Sequence, residues 1–147
     1  MTVPVEDRLA IHDLLMKYVW ATDTGDIAAF VETFLPDGVL GRTTGLRYEG
    51  HEGIGRFVEG QIARAGSRGR MHFFQTMSIE PERDGYRVFS YWQVVQVIAA
   101  AGGRVRSTGT TSDLCLKVDG RWRFKERIIG RWNDETAPWK YAAPGEV

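Results

Sequence analysis

The sequence has a single cysteine, no excess of charge of either sign and no long apolar run, and each shortage excludes a class of protein. Cys115 is alone among 147 residues, which excludes an internal disulfide and a cysteine-based zinc site. The 19 basic side chains balance 19 acidic ones, so the chain lacks the positive charge that nucleic-acid binding requires. No apolar run is long enough to span a bilayer. We therefore expect a cytoplasmic protein that binds neither nucleic acid nor membrane.

The composition that remains is that of one ordinary globular domain. Hydrophobic residues make up 43% of the chain and charged residues 26%, which is enough apolar material for one sizeable core. We expect a single domain over residues 1–147. Its folded core is predicted to cover about residues 5–133, followed by a C-terminal tail over residues 134–147.

The first third of the sequence has the periodicity of helices. Apolar side chains recur at helical spacing over residues 5–22, and Thr24-Gly25 ends the pattern. Asp26 is well placed to cap a second helix that extends to Phe34, because Leu35-Pro36-Asp37-Gly38 has the composition of a turn. A short hairpin over residues 39–48 and a third helix are expected to follow.

From residue 70 onward the apolar period changes to two, which is typical of strands. Four long strand candidates are separated by Asp-Gly or Gly-Gly pairs at residues 84–85, 102–103 and 119–120. Such pairs are strong signals of hairpins, so the strands should form an antiparallel meander. Strands of this length imply a strongly bent sheet. The sequence therefore predicts an α+β fold, in which N-terminal helices wrap a cone-shaped, curved antiparallel sheet.

Three short motifs follow one another in an order that resembles a known superfamily. They are Tyr18…Asp23-x-Gly25-Asp26, then Phe34-x-Pro36-Asp37-Gly38, and then Gly50-His51-Glu52-Gly53-Ile54. This order is similar to that of the SnoaL-like group in the nuclear-transport-factor-2-like superfamily. That superfamily includes scytalone dehydratase, ketosteroid isomerase and polyketide cyclases, and also binding modules such as the small subunits of ring-hydroxylating dioxygenases. Fold alone therefore does not decide the function.

The candidate catalytic residues are His72, Asp23 and Tyr18. Taken alone, Asp23 could be a turn residue at the end of a helix, and His72 could be a hydrogen-bonded core residue in an apolar strand. The resemblance to dehydratase and dehydrochlorinase members implies instead that Asp23 orients His72. The neutral imidazole of His72 then acts as a general base. The resemblance also implies that Tyr18 holds a substrate oxygen, although a tyrosine on an apolar helical stripe is equally consistent with core packing.

The candidate substrate-binding residues are three aromatic side chains and one arginine. The predicted pocket walls are Trp20, Phe74 and Trp92, although aromatic residues in strands also occur as ordinary core. Arg131 is included because bile acid dehydratase-like members carry an arginine at about that position. By alternation Arg131 shares a strand face with Arg127 and lies opposite Phe124, and this placement favours an exposed or interface position. Asp113 is expected to be a satisfied or exposed sheet residue rather than a second pocket acid.

These expectations combine into one predicted function and one alternative. No spacing of His, Asp and Glu suggests a metal site, so we expect no cofactor. The resemblance implies a lyase or isomerase, similar to a dehydratase, that acts on a small cyclic apolar molecule and forms a homodimer through the outer face of its sheet. The alternative is a non-catalytic ligand-binding or assembly module.

Overall fold

A computed structural model describes residues 2–64, 67–98 and 102–132. The predicted tail over residues 134–147 lies outside these ranges. The described chain contains three helices and six strands, in the order α1 (Val5–Thr24), α2 (Ile27–Glu32), β1 (Phe34–Arg42), β2 (Arg47–Glu49), α3 (Gly50–Ile62), β3 (Arg70–Glu82), β4 (Gly85–Ile98), β5 (Gly102–Val118) and β6 (Arg121–Arg131).

The strands form one curved, unclosed sheet in the order β2-β1-β6-β5-β4-β3. The predicted α+β fold is confirmed, and β3 to β6 form the expected antiparallel meander. One junction differs from the prediction, because β1 lies parallel to β6. No hairpin joins these two strands, so nothing in the local sequence fixes their relative direction.

Turn chemistry confirms the hairpin between β5 and β6. Asp119 and Gly120 have φ angles of 51° and 72°, and positive φ at both central residues is the geometry that a tight type I′ turn requires. Val118 and Arg121 pair directly across this turn. The Asp-Gly signal in the sequence therefore predicted this hairpin correctly.

Three one-residue bulges bend the long strands. Each inserts one extra residue into one of two paired strands: Met77 in β3, Arg106 in β5 and Lys125 in β6. A bulge increases the local twist and bends the strand that carries it, which accounts for the curvature of the sheet. A bulge also reverses the alternation of side chains along the strand. A residue beyond the bulge therefore lies on the face opposite to the one that strict alternation predicts.

The structure corrects the predicted boundary between α2 and β1. The second helix ends at Glu32, and Phe34 begins β1, where it pairs with Phe124. The segment 35–38 lies inside β1, at an irregularity of register between Phe34 and Val39. Proline lacks the N–H that a regular ladder needs and is tolerated at such irregularities. The predicted turn at this segment was therefore wrong.

The hydrophobic core lies between the helices and the concave face of the sheet. Helix α1 contributes one buried stripe to it, consisting of Ile11, Leu14, Leu15, Tyr18 and Ala21. The opposite strand face exposes large apolar side chains, namely Met71, Phe73, Tyr91, Val97 and Val105. None of the helices in the described ranges combines the length and apolar content that crossing a membrane requires.

Candidate active site

Asp23 and His72 are in direct contact, although 49 positions separate them in the chain. Asp23 lies in the last turn of α1, and His72 is the third residue of β3. The Oδ1 atom of Asp23 is 2.6 Å from Nδ1 of His72, and Oδ2 accepts a hydrogen bond of 2.9 Å from the backbone N–H of His72. Both side chains are 19% exposed. Both carboxylate oxygens thus hold one residue, which fixes the position and the orientation of the imidazole ring.

The local sequence leaves the Asp23 carboxylate available for this contact because other residues make the turn. Gly25 adopts the left-handed conformation with φ of 74°, and its N–H donates to the carbonyl of Ala21, which closes α1. Asp26 then caps α2 by accepting a hydrogen bond of 3.0 Å from the N–H of Ala29. Asp23 is therefore not the turn residue of this segment.

The contact selects one tautomer of the neutral histidine. A carboxylate accepts hydrogen bonds and cannot donate them, so a neutral His72 carries its proton on Nδ1 and leaves a lone pair on Nε2. Within the part of the chain that the structure describes, Nε2 makes no hydrogen bond. A nitrogen in this state can accept a proton from a bound molecule, as a general base does.

Substituting Asp23 by Asn should change the tautomer of His72. The Asn amide can donate as well as accept, so it no longer requires a proton on Nδ1. Nitrogen-15 NMR of the neutral ring should show Nδ1 protonated in the unsubstituted protein and a shift toward the Nε2-protonated form in Asp23→Asn. The matched control is Asp26→Asn, which preserves an equally good helix cap and should leave the tautomer unchanged. An Nε2-protonated ring in the unsubstituted protein would contradict this assignment.

Tyr18 lies deeper in the interior than Asp23. It is 5% exposed, and burial raises the pKa of its hydroxyl above the ordinary value. Its ring packs against Phe30 and Phe74 at centroid distances of 4.8 and 6.2 Å. Helix α1 continues to Thr24, so Tyr18 and Asp23 point in different directions. Tyr18 therefore faces the interior of the cone and does not join the Asp23–His72 pair.

Arg127 is a buried charge that the sequence did not reveal. Its side chain is 0% exposed and donates from Nη1 to Oδ2 of Asp113, also 0% exposed, at 2.9 Å. The guanidinium carbon lies 4.1 Å from the ring centre of Tyr18 and 4.8 Å from that of Phe74, which is the geometry of a cation–π contact. The pair thus places a positive charge inside the aromatic core.

Several polar atoms around this ion pair have no partner among the described residues. They are Oγ of Ser90, Oδ1 of Asp113, and Nε and Nη2 of Arg127. Buried polar groups are normally hydrogen-bonded, so each exception needs an explanation. Burial also raises the pKa of Asp113 to about 6, against the opposing effect of Arg127. The interior therefore contains buried polar atoms without a hydrogen-bond partner next to a buried charge. Asp113 is thus not exposed, and only its Oδ2 is satisfied, by hydrogen bonds from Arg127 and Thr111.

Two of the predicted wall residues meet in one cavity. The Trp92 indole N–H lies 3.1 Å from the carbonyl oxygens of Thr110 and of Gly130, which anchors the ring. The cavity has a volume of about 440 Å³ and is lined by Phe73, Phe74, Gln75, Tyr91, Trp92, Gln93, Thr108, Gly109 and Trp132. A second cavity of about 510 Å³ lies between α3 and β2. Neither of these two is lined by Asp23 or His72.

Trp20 is not the wall residue that the sequence suggested, whereas Arg131 is exposed, the position that its strand alternation favoured. Trp20 is 72% exposed. It lies two positions after the buried Tyr18, a rotation of about 200° around the helix axis, and therefore points away from the core. It is therefore not a wall of the interior. Arg131 does share a strand face with Arg127, but the bulge at Lys125 turns this face inward. Arg131 consequently lies at the open edge of the concave face, where it is exposed.

The curved sheet and the helices that wrap it form a cone-shaped fold of the nuclear-transport-factor-2-like type, with the aspartate–histidine pair between α1 and β3. The chain belongs to the SnoaL-like domain family, whose model matches residues 3–128. No match is found among curated proteins.

Solved structures agree with this assignment at the level of the fold. An NTF2-like protein from Novosphingobium aromaticivorans is 21% identical, with a TM-score of 0.78 over 88% of this chain and 84% of its own. ActVI-ORFA from Streptomyces coelicolor is 20% identical, with a TM-score of 0.75 over 84% and 96% of the two chains. A proposed scytalone dehydratase from Novosphingobium aromaticivorans is 19% identical, with a TM-score of 0.73 over 88% and 86%. These identities establish a shared fold and no more.

Proposed function

We propose that this protein is a cofactor-independent lyase or isomerase that removes a proton from a small cyclic molecule. The observation that carries the proposal is the contact of both Asp23 oxygens with His72. A carboxylate that holds Nδ1 leaves Nε2 as the base and stabilises the imidazolium that forms when the proton is transferred. Membership of the SnoaL-like family and the structural likeness to a proposed scytalone dehydratase support this class of reaction.

The proposed reaction begins at a carbon next to a carbonyl group. Nε2 of His72 takes the proton, and the electron pair of the broken C–H bond moves toward the carbonyl oxygen, which becomes negatively charged. In a lyase, the imidazolium returns its proton to a hydroxyl group on the β-carbon, which leaves as water. In an isomerase, the proton returns to a different carbon. Both outcomes balance without an oxidant, a reductant or a second substrate.

Arg127 is the proposed partner for the oxygen that gains charge. His72 and Phe74 are two positions apart on one strand face, a separation of ~7 Å. The guanidinium carbon of Arg127 lies 4.8 Å from the Phe74 ring centre, so the base and the positive charge are both neighbours of Phe74. Nε and Nη2 of Arg127 are the unused donors in this region. A preorganised donor in a site that excludes water stabilises a developing oxyanion strongly.

A screen of cyclic β-hydroxyketones tests the proposed reaction. Loss of water from such a compound produces a conjugated enone, which is detected by its ultraviolet absorbance. We expect the unsubstituted protein to accelerate elimination from at least one compound, and Asp23→Asn to lower kcat about 10²-fold or more because the histidine loses its fixed tautomer. Equal rates with and without the protein across the screen would contradict the proposal.

A non-catalytic module is the second candidate function, and the packing around Tyr18 favours it. The Tyr18 ring contacts Phe30, Phe34 and Phe124, so aromatic side chains occupy much of the interior beside Arg127. An assembly module would use the cone only as a scaffold. Co-expression followed by size-exclusion chromatography distinguishes the two functions, because a module requires a stable complex with a larger partner and an enzyme does not.

We further propose that two copies associate through the convex face of the sheet. That face exposes Met71, Phe73, Tyr91, Val97 and Val105, and a contiguous apolar surface of this kind typically marks an interface. Analytical ultracentrifugation should give the mass of a dimer. A monomer at micromolar concentration would contradict this assembly.

A further inference from the structure

Four polar side chains lie together on the concave face, on three neighbouring strands. Ser90 of β4 pairs with Thr111 of β5, and Asp113 of β5 pairs with Arg127 of β6. Thr111 and Asp113 share a strand face with the core residue Cys115. Thr111 is 2% exposed, and Ser90, Asp113 and Arg127 are 0% exposed. We call Ser90, Thr111, Asp113 and Arg127 the polar cluster.

The polar cluster uses only part of its hydrogen-bonding capacity. Nη1 of Arg127 and Oγ1 of Thr111 both donate to Oδ2 of Asp113, at 2.9 and 3.2 Å. Arginine and carboxylate frequently form two parallel hydrogen bonds, but here Oδ1 of Asp113 and Nη2 of Arg127 have no partner among the described residues, and neither do Nε of Arg127 and Oγ of Ser90. Oδ1 and Oδ2 share one carbon atom, as Nη1 and Nη2 do, so an unused acceptor lies close to an unused donor.

The unused atoms of the polar cluster favour one kind of ligand group. The guanidinium of Arg127 only donates hydrogen bonds, the carboxylate of Asp113 only accepts them, and the hydroxyl of Ser90 does both. A lone ketone or ether oxygen satisfies Arg127 and leaves Oδ1 of Asp113 unpaired, which costs free energy in a buried site. A ligand carboxylate is repelled by Asp113. A carbonyl with a hydroxyl group beside it matches the cluster, because the carbonyl accepts from Arg127 and the hydroxyl donates to Asp113.

The polar cluster lies next to the part of the concave face that carries the proposed base. The His72 side chain is 19% exposed, Phe74 is half-buried and Arg127 is fully buried. The guanidinium carbon of Arg127 lies 4.8 Å from the Phe74 ring centre. Burial therefore increases from His72 through Phe74 to Arg127. A ring that lies against His72 and Phe74 would direct its oxygen atoms toward the buried donors and the buried acceptor.

We propose that the substrate is a cyclic ketone with a hydroxyl group on the carbon next to its carbonyl, and that this hydroxyl donates to Oδ1 of Asp113 and accepts from Ser90. This inference rests on the proposed function, which assigns the carbonyl oxygen to Arg127, and deepens it by naming a second oxygen of the substrate. The carbon with the hydroxyl group lies on the side of the carbonyl away from the carbon that loses its proton to His72. Asp113 and Ser90 therefore determine specificity and take no part in the proton transfer.

Two racemic probes of similar size test the proposal: 2-hydroxy-1-indanone, which has the hydroxyl group, and 2-methyl-1-indanone, in which a methyl group replaces it. Isothermal titration calorimetry at pH 7.5 keeps Asp113 ionised, since burial raises its pKa to about 6. The unsubstituted protein should bind the hydroxyl probe about tenfold or more tightly than the methyl probe, a difference of about 1.4 kcal/mol. Ser90→Ala and Asp113→Asn should each reduce this preference to about threefold or less, because each removes a partner of the ligand hydroxyl.

Ser112→Ala is the matched control. Ser112 lies between Thr111 and Asp113 on β5, so its side chain is on the opposite face of the sheet, and its substitution should leave the preference intact. Ser90→Ala should keep the thermal unfolding midpoint of the unsubstituted protein, since the Ser90 hydroxyl has no partner to lose among the described residues. This variant therefore tests the site even where Asp113→Asn is poorly folded.

The outcomes separate the hydroxyl site from the proposed function. Equal affinities for the two probes would show that the polar cluster holds only water and would overturn the proposal, as would failure of both probes to bind or a full preference in Ser90→Ala. A preference for the hydroxyl probe in a protein that exchanges no α-proton of a ketone through His72 would refute the proposed catalytic function and leave the hydroxyl site standing. Exchange that depends on His72 without this preference would refute the hydroxyl site alone.

Discussion

Replacing His72 by Gln should reduce turnover of any substrate found in the screen by ~10²–10⁴-fold, which is the usual contribution of a positioned general base. Glutamine can still accept a hydrogen bond, but its amide cannot take up a proton at neutral pH. The fold should be unaffected, because the backbone N–H of His72 keeps its hydrogen bond to Asp23. Steady-state kinetics give the change in kcat, and the thermal unfolding midpoint verifies that the variant is folded.

His12→Gln is the control for this substitution. The His12 side chain is 61% exposed on α1 and does not belong to the buried stripe of that helix, so its loss should change neither kcat nor KM. A His72→Gln variant with full activity would refute the role of His72 as base. A loss of activity that also occurs in His12→Gln would indicate an effect of the substitutions on folding rather than on chemistry.

Replacing Asp113 by Leu should destabilise the fold by about 3–5 kcal/mol, the cost of leaving one member of a buried ion pair without its partner. Arg127 is 0% exposed and donates to Asp113, so the substitution leaves its guanidinium charged and buried among aromatic rings. Urea denaturation followed by circular dichroism measures the free energy of unfolding. A change below about 1 kcal/mol would show that the pair is not as buried as the structure indicates.

The double variant Asp113→Leu/Arg127→Met is the control for this destabilisation. It removes both charges and replaces them with apolar side chains of comparable size, which in other proteins restores or increases stability. We expect a free energy of unfolding close to or above that of the unsubstituted protein. A double variant less stable than Asp113→Leu alone would contradict the view that the buried charge causes the loss.

The pH dependence of stability provides a second readout of the same pair. Burial raises the pKa of Asp113 from 3.8 to about 6 in the folded protein, so between these values the folded state binds the proton more tightly than the unfolded state does. The contribution of this group to the free energy of unfolding is therefore full below pH 4 and is lost as the pH rises through 6. The double variant should lack this component, and an identical pH profile in the two proteins would contradict it.

Local sequence signals predicted the elements that depend on local chemistry. Asp119-Gly120 specified a tight hairpin because only this kind of pair adopts positive φ at both positions easily. Gly25 and Asp26 ended one helix and started the next as their capping preferences indicate. The pairing of Asp23 with His72, by contrast, was implied by the resemblance to a family, since no local signal connects a helix end with a distant strand.

The buried ion pair could not be predicted because it depends on a bulge. An unbroken antiparallel register between β5 and β6, starting from the pair Val118–Arg121, would place Asp113 opposite Glu126. The extra residue Lys125 shifts the register, so that Asp113 faces Arg127 instead. Simple alternation therefore placed Arg127 opposite Phe124, on the outer face. A bulge inserts one residue at a single point of a strand, and a sequence pattern of period two does not mark where this happens.

The boundary of α2 was missed for a related reason. Phe34 continues the apolar helical spacing of Phe30, and Pro36 and Gly38 have turn composition. Tertiary packing overrides both signals, because pairing with Phe124 buries Phe34 completely within β1. Burying an aromatic side chain of this size contributes about 1.5–3 kcal/mol, which exceeds the small differences in local propensity.

Solvent deuterium exchange into bound cyclic ketones tests most directly whether Asp23 holds His72 as a base for carbon acids. Each ketone is incubated in deuterium oxide with the unsubstituted protein or with His72→Gln, and exchange at the α-carbon is followed by proton NMR. We expect exchange of at least one ketone that depends on the protein and is lost in His72→Gln. Exchange that persists in His72→Gln, or ketones that bind without any exchange, would contradict it.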